Sequence, residues 1–282
     1  MNNTAIESSI KIQEGLSIVN FSNTIENVLL VEGKTDAAFY SQFPENNKNI
    51  HYGSPKEYNN IIKIVENKFR SKHYVYGIID RDYKTHTLKP ELQKFIFIID
   101  ANSLETVIIK YLGVDVFEKI IRKYFYQCKF IQNNFTKDSL QWSFILGCLR
   151  EKNITQKLRL RINETVEQHD FLKEYVVASN SENNYFNFNI DLFLKDLLDN
   201  SNNQINYDEL EHYIRDFNEN ESWFICRGHD VFDFIDALSR TVTNNKRDKS
   251  TVPAWEYKIL HKAKSLFNYP KLEKWFTAIN KK

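Results

Sequence analysis

The sequence predicts an α/β fold: a mostly parallel sheet flanked by helices, then a mainly helical C-terminal region. Three observations carry that prediction. From Val28, short apolar runs alternate with amphipathic helical stretches, the pattern of βαβ units with right-handed crossovers. Two of the apolar runs end abruptly in carboxylates, at Glu32-Gly33 and at Asp80-Arg81-Asp82. After Ser103-Leu104-Glu105 the periodicity turns helical and stays so to about Asn200.

Residues 1–27 are polar and rich in Ser and Asn, and read as a loose lead-in with one amphipathic turn or strand around Ile10 to Ile18. Strands are expected at Val28–Glu32, Asn49–Tyr52, Tyr74–Asp80 and Lys94–Ile98, the first of them a short apolar run too brief for a helix. Thr35 is placed to N-cap a helix over Thr35–Gln42, with Asp36 in its first turn. A second helix, Pro55–Phe69, carries Tyr58, Ile61, Ile62, Val65 and Phe69 on one face, and Pro55 suits its first turn. Further on, Phe117, Ile120, Ile121 and Tyr124 form one helical stripe, and Leu140, Phe144, Ile145 and Leu149 another. Asn/Ser clusters at 180–184 and 200–203 read as loops. Ser222–Cys226 reads as one more strand, ending in Arg227-Gly228-His229-Asp230 before a helix over Val231–Leu238. The domain reading is a lead-in over 1–27, a catalytic domain over 28–110, and a helical region over 111–282 that carries a returning strand-loop-helix at 222–238.

With 282 residues and 42% hydrophobic content, the chain can build a sizeable core. Lys and Arg total 38 against 37 acids, so net charge names no partner, but the distribution is uneven. From Lys119 to Arg161 there are ten Lys/Arg and two acids; from Ile162 to Asp236 there are four and seventeen. The basic block interleaves with Tyr124, Phe125, Tyr126, Phe130, Phe135 and Trp142. Most such aromatics belong to a core, while the cations around them suit a surface that follows phosphates. The acidic block suits a protein partner better than a nucleic acid. Three cysteines, Cys128, Cys148 and Cys226, show neither metal-like spacing nor the even count of a disulfide framework. No apolar run reaches the length of a membrane span and no apolar leader core stands at the N-terminus, so a cytoplasmic protein without membrane partners is expected.

In an open parallel sheet the carboxyl ends of neighbouring strands share one edge, where ligands bind. Glu32, Asp80 and Asp82 are therefore expected to converge. Asp80 and Asp82 lie one residue apart, so in extended backbone both side chains point the same way. Paired hard oxygen donors suit Mg²⁺ (or Mn²⁺), which takes carboxylates plus water and phosphate oxygens. Glu32 is a candidate general acid/base or a further ligand. Lys34 and Arg81 are candidates to neutralise phosphate charge, and Arg227 to clamp a phosphate. Glu105 reads either as a capping-box glutamate or as a fourth acid for the metal, and His229 either as a loop-borne catalytic residue or as part of a helix start.

Val31-Glu32-Gly33-Lys34-Thr35-Asp36, followed by a hydrophobic strand ending in Asp80-Arg81-Asp82, resembles the Toprim domain of topoisomerases, primases, small maturation nucleases and, more distantly, OLD-type nucleases. Together with Gly77-Ile-Ile-Asp-Arg-Asp-Tyr83, Asn102-Ser-Leu-Glu105 and Arg227-Gly-His-Asp230, it resembles a Toprim nuclease family formerly labelled a domain of unknown function. That family includes the Toprim effector of PARIS anti-phage systems. The resemblance spans roughly Val28–Glu105 and Trp223–Leu238; the helical middle matches only in character. It implies a Toprim-like sheet and an Mg²⁺-dependent endonuclease of nucleic acid, tRNA being favoured. It also implies a toxic effector restrained by an ABC-type ATPase partner, and homodimerisation on activation is a further expectation. It favours Glu32, Asp80, Asp82 and Glu105 as metal ligands, with His229 in the catalytic set.

Two rivals come from other classes. A nucleotide-sugar transferase also uses a strand followed by Asp-x-Asp and a divalent ion, but the upstream Val-Glu-Gly-x-x-Asp counts against it. A non-catalytic assembly subunit would not need intact acids at every motif position. Nothing in the chain resembles a P-loop, so energy coupling would need a partner.

Overall fold

The computed structural model describes residues 27–41, 43, 50–53, 58–68, 74–83, 87–124, 135–168, 175–178, 186–201, 205–243, 259, 262–263 and 266–280. The expected lead-in up to residue 26, the Pro55 helix start, Phe125, Tyr126, Phe130, and the loop at 180–184 lie outside these residues. In chain order the elements are β1 (Asn27–Leu30), α1 (Lys34–Tyr40), β2 (Ile50–Gly53), α2 (Tyr58–Lys68), β3 (Tyr74–Ile79) and β4 (Ile96–Ile98). There follow α3 (Leu104–Leu112), α4 (Val114–Tyr124), α5 (Phe135–Gln156), α6 (Ile162–Gln168), β5 (Val176–Ala178) and β6 (Phe186–Phe188). The last are α7 (Ile190–Asn200), α8 (Tyr207–Tyr213), α9 (Glu219–Ile225), α10 (Gly228–Thr243) and α11 (Pro270–Asn280). The chain is thus of the α/β class. It divides into two compact units, one formed by residues 1–100 with 267–282 and the other by residues 101–266.

The first unit is built on a four-stranded sheet in the order β2-β1-β3-β4, every neighbouring pair parallel. Asn27 of β1 stands opposite both Ile50 and Tyr74, and Gly77 of β3 opposite Ile96. The chain leaves β1 toward β2 on one side and returns past β1 to β3 on the other. The carboxyl ends of β1 and β3 therefore flank the topological switch point, where an open parallel sheet leaves a crevice.

Helices cover both faces of this sheet. On one, α2 lies so close that a Cβ on Gly77 would fall 2.4 Å from Cγ2 of Ile61. On the other an aromatic layer joins α1 and α11. Phe39 meets Phe267 edge-on at 5.7 Å, Phe43 stacks on Phe276 at 6.2 Å, and Trp275 lies 5.9 Å from Tyr76 and 5.6 Å from Phe97. The return of α11 to the sheet was not expected. It buries Leu272, Phe276 and Ile279, one face at helical spacing.

The second unit is organised on the 22-residue helix α5, against which α4, α9 and α10 pack. A Cβ on Gly147 would sit 2.1 Å from the carbonyl oxygen of Ile225, so α9 lies flush on α5. Trp142 stacks on Phe188 at 5.2 Å and meets Phe193 edge-on at 5.3 Å. Two expectations fail here. Residues 222–226 are not a strand: α9 runs through Ile225 to a Cys226 C-cap, from an Asn218 N-cap whose side chain accepts from the Asn220 amide at 3.0 Å, with Glu219 and Glu221 in the first turn. The capping asparagine and the acids favour a helix over the β-prone Trp-Phe-Ile that follows. The helical run to Asn200 is also interrupted, by the antiparallel pair β5–β6.

The Gly77 contact gives a direct test. Gly77→Ala forces its methyl group into Ile61, and overpacking of this kind costs about 1–3 kcal/mol. The urea midpoint of the variant is expected to fall with its m-value unchanged. An unchanged midpoint would mean that α2 does not pack on β3 this tightly.

Candidate functional site

The acids of the first unit lie just beyond strand ends. Glu32 follows β1 and Asp80 follows β3, and the Asp80 amide donates to Oε1 of Glu32 at 2.9 Å. A parallel strand end leaves its next amide without a ladder partner, and Glu32 supplies one across the switch point. This bond places the two expected site residues side by side, and both are half-buried.

Asp82 departs from its expected geometry. β3 ends at Ile79, and Asp82 has φ 51°, in the left-handed region, within a turn. The premise of an extended Asp80-Arg81-Asp82 with parallel side chains therefore fails. Aspartate tolerates the left-handed conformation better than most side chains, and a turn at the tip of a buried strand calls for it. Asp82 and Arg81 are both half-buried.

The Glu-Gly-x-x-Asp spacing has a local cause as well. The N-cap of α1 is Gly33, not Thr35, and Asp36 at the third helical position accepts from the Gly33 amide at 2.8 Å. A Cβ on Gly33 would lie 2.9 Å from Oδ2 of Asp36, so the glycine makes room for this carboxylate. Asp36 thus acts on the helix start, holding the turn that follows Glu32. Lys34 opens α1, and its side chain lies outside the described residues.

Sequence reasoning missed a further acid at this edge. Asp100 follows β4, whose pairing with β3 continues through the Ile99 amide on the Ile79 carbonyl at 3.2 Å. Its carboxylate accepts from the Tyr269 hydroxyl at 2.7 Å and from Lys271 at 3.1 Å, tying the C-terminal segment to the sheet. The available signal was an acid just past an apolar run, as at Glu32 and Asp80.

Two other motif segments meet within the second unit. Asn102 donates from its amide to the Trp223 carbonyl at 2.7 Å and from its side chain to Phe224 at 3.2 Å. The Gly228 amide donates to the Ser103 hydroxyl at 3.1 Å, and that hydroxyl donates to Oε2 of Glu105 at 2.7 Å. Glu105 is buried, 3% exposed, but it is not the capping-box residue: Thr106 accepts from the Ser103 amide at 2.9 Å and fills that role. Asp230, itself buried, is committed to an ion pair with the half-buried Arg150, which fastens α10 to α5. Arg227 is half-buried, its carbonyl accepting from the Ser143 hydroxyl at 3.0 Å, and His229 is exposed in the first turn of α10. Burial pushes the Cys226 thiol well up, and the thiol donates to the Leu140 carbonyl, so Cys226 is no nucleophile.

Among the described residues, no three side chains of His, Cys, Asp or Glu already form a metal-binding group. The donor chemistry at the sheet edge nevertheless fits a hard divalent cation. Mg²⁺ takes one or two protein carboxylates and fills its shell with water and phosphate oxygens. Among the described residues no helix is long and apolar enough to cross a membrane. No protein-family model, curated protein or solved structure matches this chain.

The glycine of Arg227-Gly228-His229-Asp230 has a packing role that can be measured. A Cβ on Gly228 would lie 2.4 Å from Cβ of Glu105 and 2.7 Å from Oγ of Ser103. Gly228→Ala is expected to cost about 1–3 kcal/mol in a urea melt, because neither neighbour can retreat without breaking the Ser103 bonds. A variant as stable as the parent would contradict this close approach.

Proposed function

We propose that this chain is a Toprim-type, metal-dependent endonuclease that hydrolyses phosphodiester bonds in nucleic acid, using the acids at the switch point of its parallel sheet. The observation that carries the reading is the Asp80 amide bonded to Glu32. It sets two carboxylate-bearing strand ends together at the edge where such sheets take ligands. The motif resemblance of Val31–Asp36 and Gly77–Tyr83 supplies the chemistry.

In this reading Asp80 and Asp82 hold Mg²⁺ or Mn²⁺, whose charge, when the ion is bound, offsets that developing on the scissile phosphate. Glu32 moves a proton at the attacking water or serves as a further ligand, and its bond to Asp80 keeps it in place for either task. Arg81, between the two aspartates in sequence, contacts phosphate oxygens in this reading. Glu105, Arg227 and His229 are organised within the other unit and have no part in this reading. RNA, with tRNA first, is the substrate class the resemblance favours. The same resemblance supports the role of a toxic anti-phage effector restrained by an ABC-type ATPase.

Glu32→Gln separates charge from structure. Glutamine keeps a carbonyl oxygen to accept the Asp80 amide, so the strand-end tie and the melting temperature are expected to persist. Cleavage of a labelled tRNA pool in Mg²⁺ is expected to fall by about 10²–10⁴-fold, the usual worth of a positioned acid/base. EDTA is expected to abolish cleavage by the parent. Full activity in a folded Glu32→Gln variant, or in EDTA, would overturn the reading.

A further inference from the structure

The turn that joins α5 to α6 departs from ordinary backbone at two places. Lys157 has φ 57° and Arg159 has φ 58°, both in the left-handed region that favours glycine. The first has a common cause. The Leu158 amide donates to the Asn153 carbonyl at 3.2 Å, which closes the end of α5 in a Schellman-type turn whose left-handed residue is usually glycine. Lysine there also complements the helix dipole. Arg159 has no such excuse, since it lies beyond the cap.

Side-chain bonds hold the turn in this shape. Asn153 accepts from the Leu160 amide at 2.9 Å and donates to the Leu160 carbonyl at 3.1 Å, while the Arg161 amide donates to the Ser201 hydroxyl at 3.1 Å. Leu160 is buried beneath. Lys157, Arg159 and Arg161 alternate with the two leucines, and all three are exposed. Among the described residues none of the three carries an ion pair, whereas Arg150 and Arg215 of the same unit do. The result is three unpaired cations on a clamped backbone, two of them where glycine would sit more easily. Strain kept in a side-chain-bearing turn points to a use for the side chains.

We propose that the 157–161 turn is a phosphate-contacting loop that binds the backbone of a nucleic acid. Nucleic acid as the ligand, rather than an acidic protein, rests on the nuclease reading given above. Two of the three cations are arginines, whose planar fork suits phosphate oxygens. Because the turn is already clamped, little chain ordering is needed on binding.

The left-handed positions permit a variant that separates fold from charge. Lys157→Gly/Arg159→Gly removes two charges and suits the backbone better, so the full-length variant is expected to melt at or above the parent temperature. Binding to a fluorescently labelled tRNA pool is measured by anisotropy across a salt series, in EDTA so that hydrolysis plays no part. The double variant, and the triple variant with Arg161→Gln, are expected to lose tenfold or more in affinity. Their slope of log affinity against log salt should flatten by about 0.7–0.9 for each phosphate that is no longer neutralised. Because binding is read without cleavage, an inactive parent that still shows these losses supports the loop and counts only against the nuclease reading. Unchanged affinity and slope in the triple variant overturn the proposal. So does a parent that binds no nucleic acid, or a variant that changes only the sedimentation of the protein, which would mark the loop as a protein-docking surface.

Discussion

The hydrogen bond from the Asp80 amide to Glu32 is the constraint on which the first unit's candidate chemistry depends. β1 and β3 are neighbours, yet they are separated in sequence by β2 and two helices, and the chain leaves their carboxyl ends in opposite directions. A strand end that lost its ladder at that point would be free to splay. The Glu32 carboxylate prevents this by taking the first unladdered amide. A structural tie and a candidate site residue are here the same side chain, so charge and shape must be separated by an isostere rather than by truncation.

Within each unit, close backbone approaches fix where neighbouring elements sit. Gly77 lets α2 descend onto β3, and in the other unit Gly147 and Gly228 let α9 lie on α5 and bring the start of α10 against Glu105. At none of the three is the glycine demanded by a turn. Each is there because a methyl group would meet a neighbour at 2.1–2.4 Å. Spaces this small transmit displacement, since packed interiors have no slack to absorb it. The part-buried Arg150–Asp230 pair adds an electrostatic tie between α5 and α10, and removal of Arg150 would leave the buried Asp230 carboxylate without it.

Much of the first unit was legible because short apolar runs that end in Gly or Asp have few alternatives in a chain that alternates with helices. The carboxylates at Glu32 and Asp80 stood out as groups that packing alone does not place. The order of the strands was not legible, since it depends on pairings between residues tens of positions apart, and with it the switch point stayed hidden. Asp82 was misjudged because a turn after a strand looks extended until its φ is known. Residues 222–226 read as a strand because Trp-Phe-Ile outweighed an N-cap four residues upstream of Ser222. A capping-box role for Glu105 requires an N-cap at Asn102; the cap is Ser103, one residue later, so the third helical position and the bond to the cap amide fall to Thr106. The return of α11 was missed because no local signal says which sheet an amphipathic helix will cover.

The central claim, that the switch-point acids form a cation site, is tested most directly by titrating Mn²⁺ into the full-length protein and following free ion by electron paramagnetic resonance. The account predicts saturable binding that Mg²⁺ displaces, and that Asp80→Asn or Asp82→Asn weakens at least tenfold while the melting temperature holds. Binding that is absent, or equally strong in both variants, would contradict it.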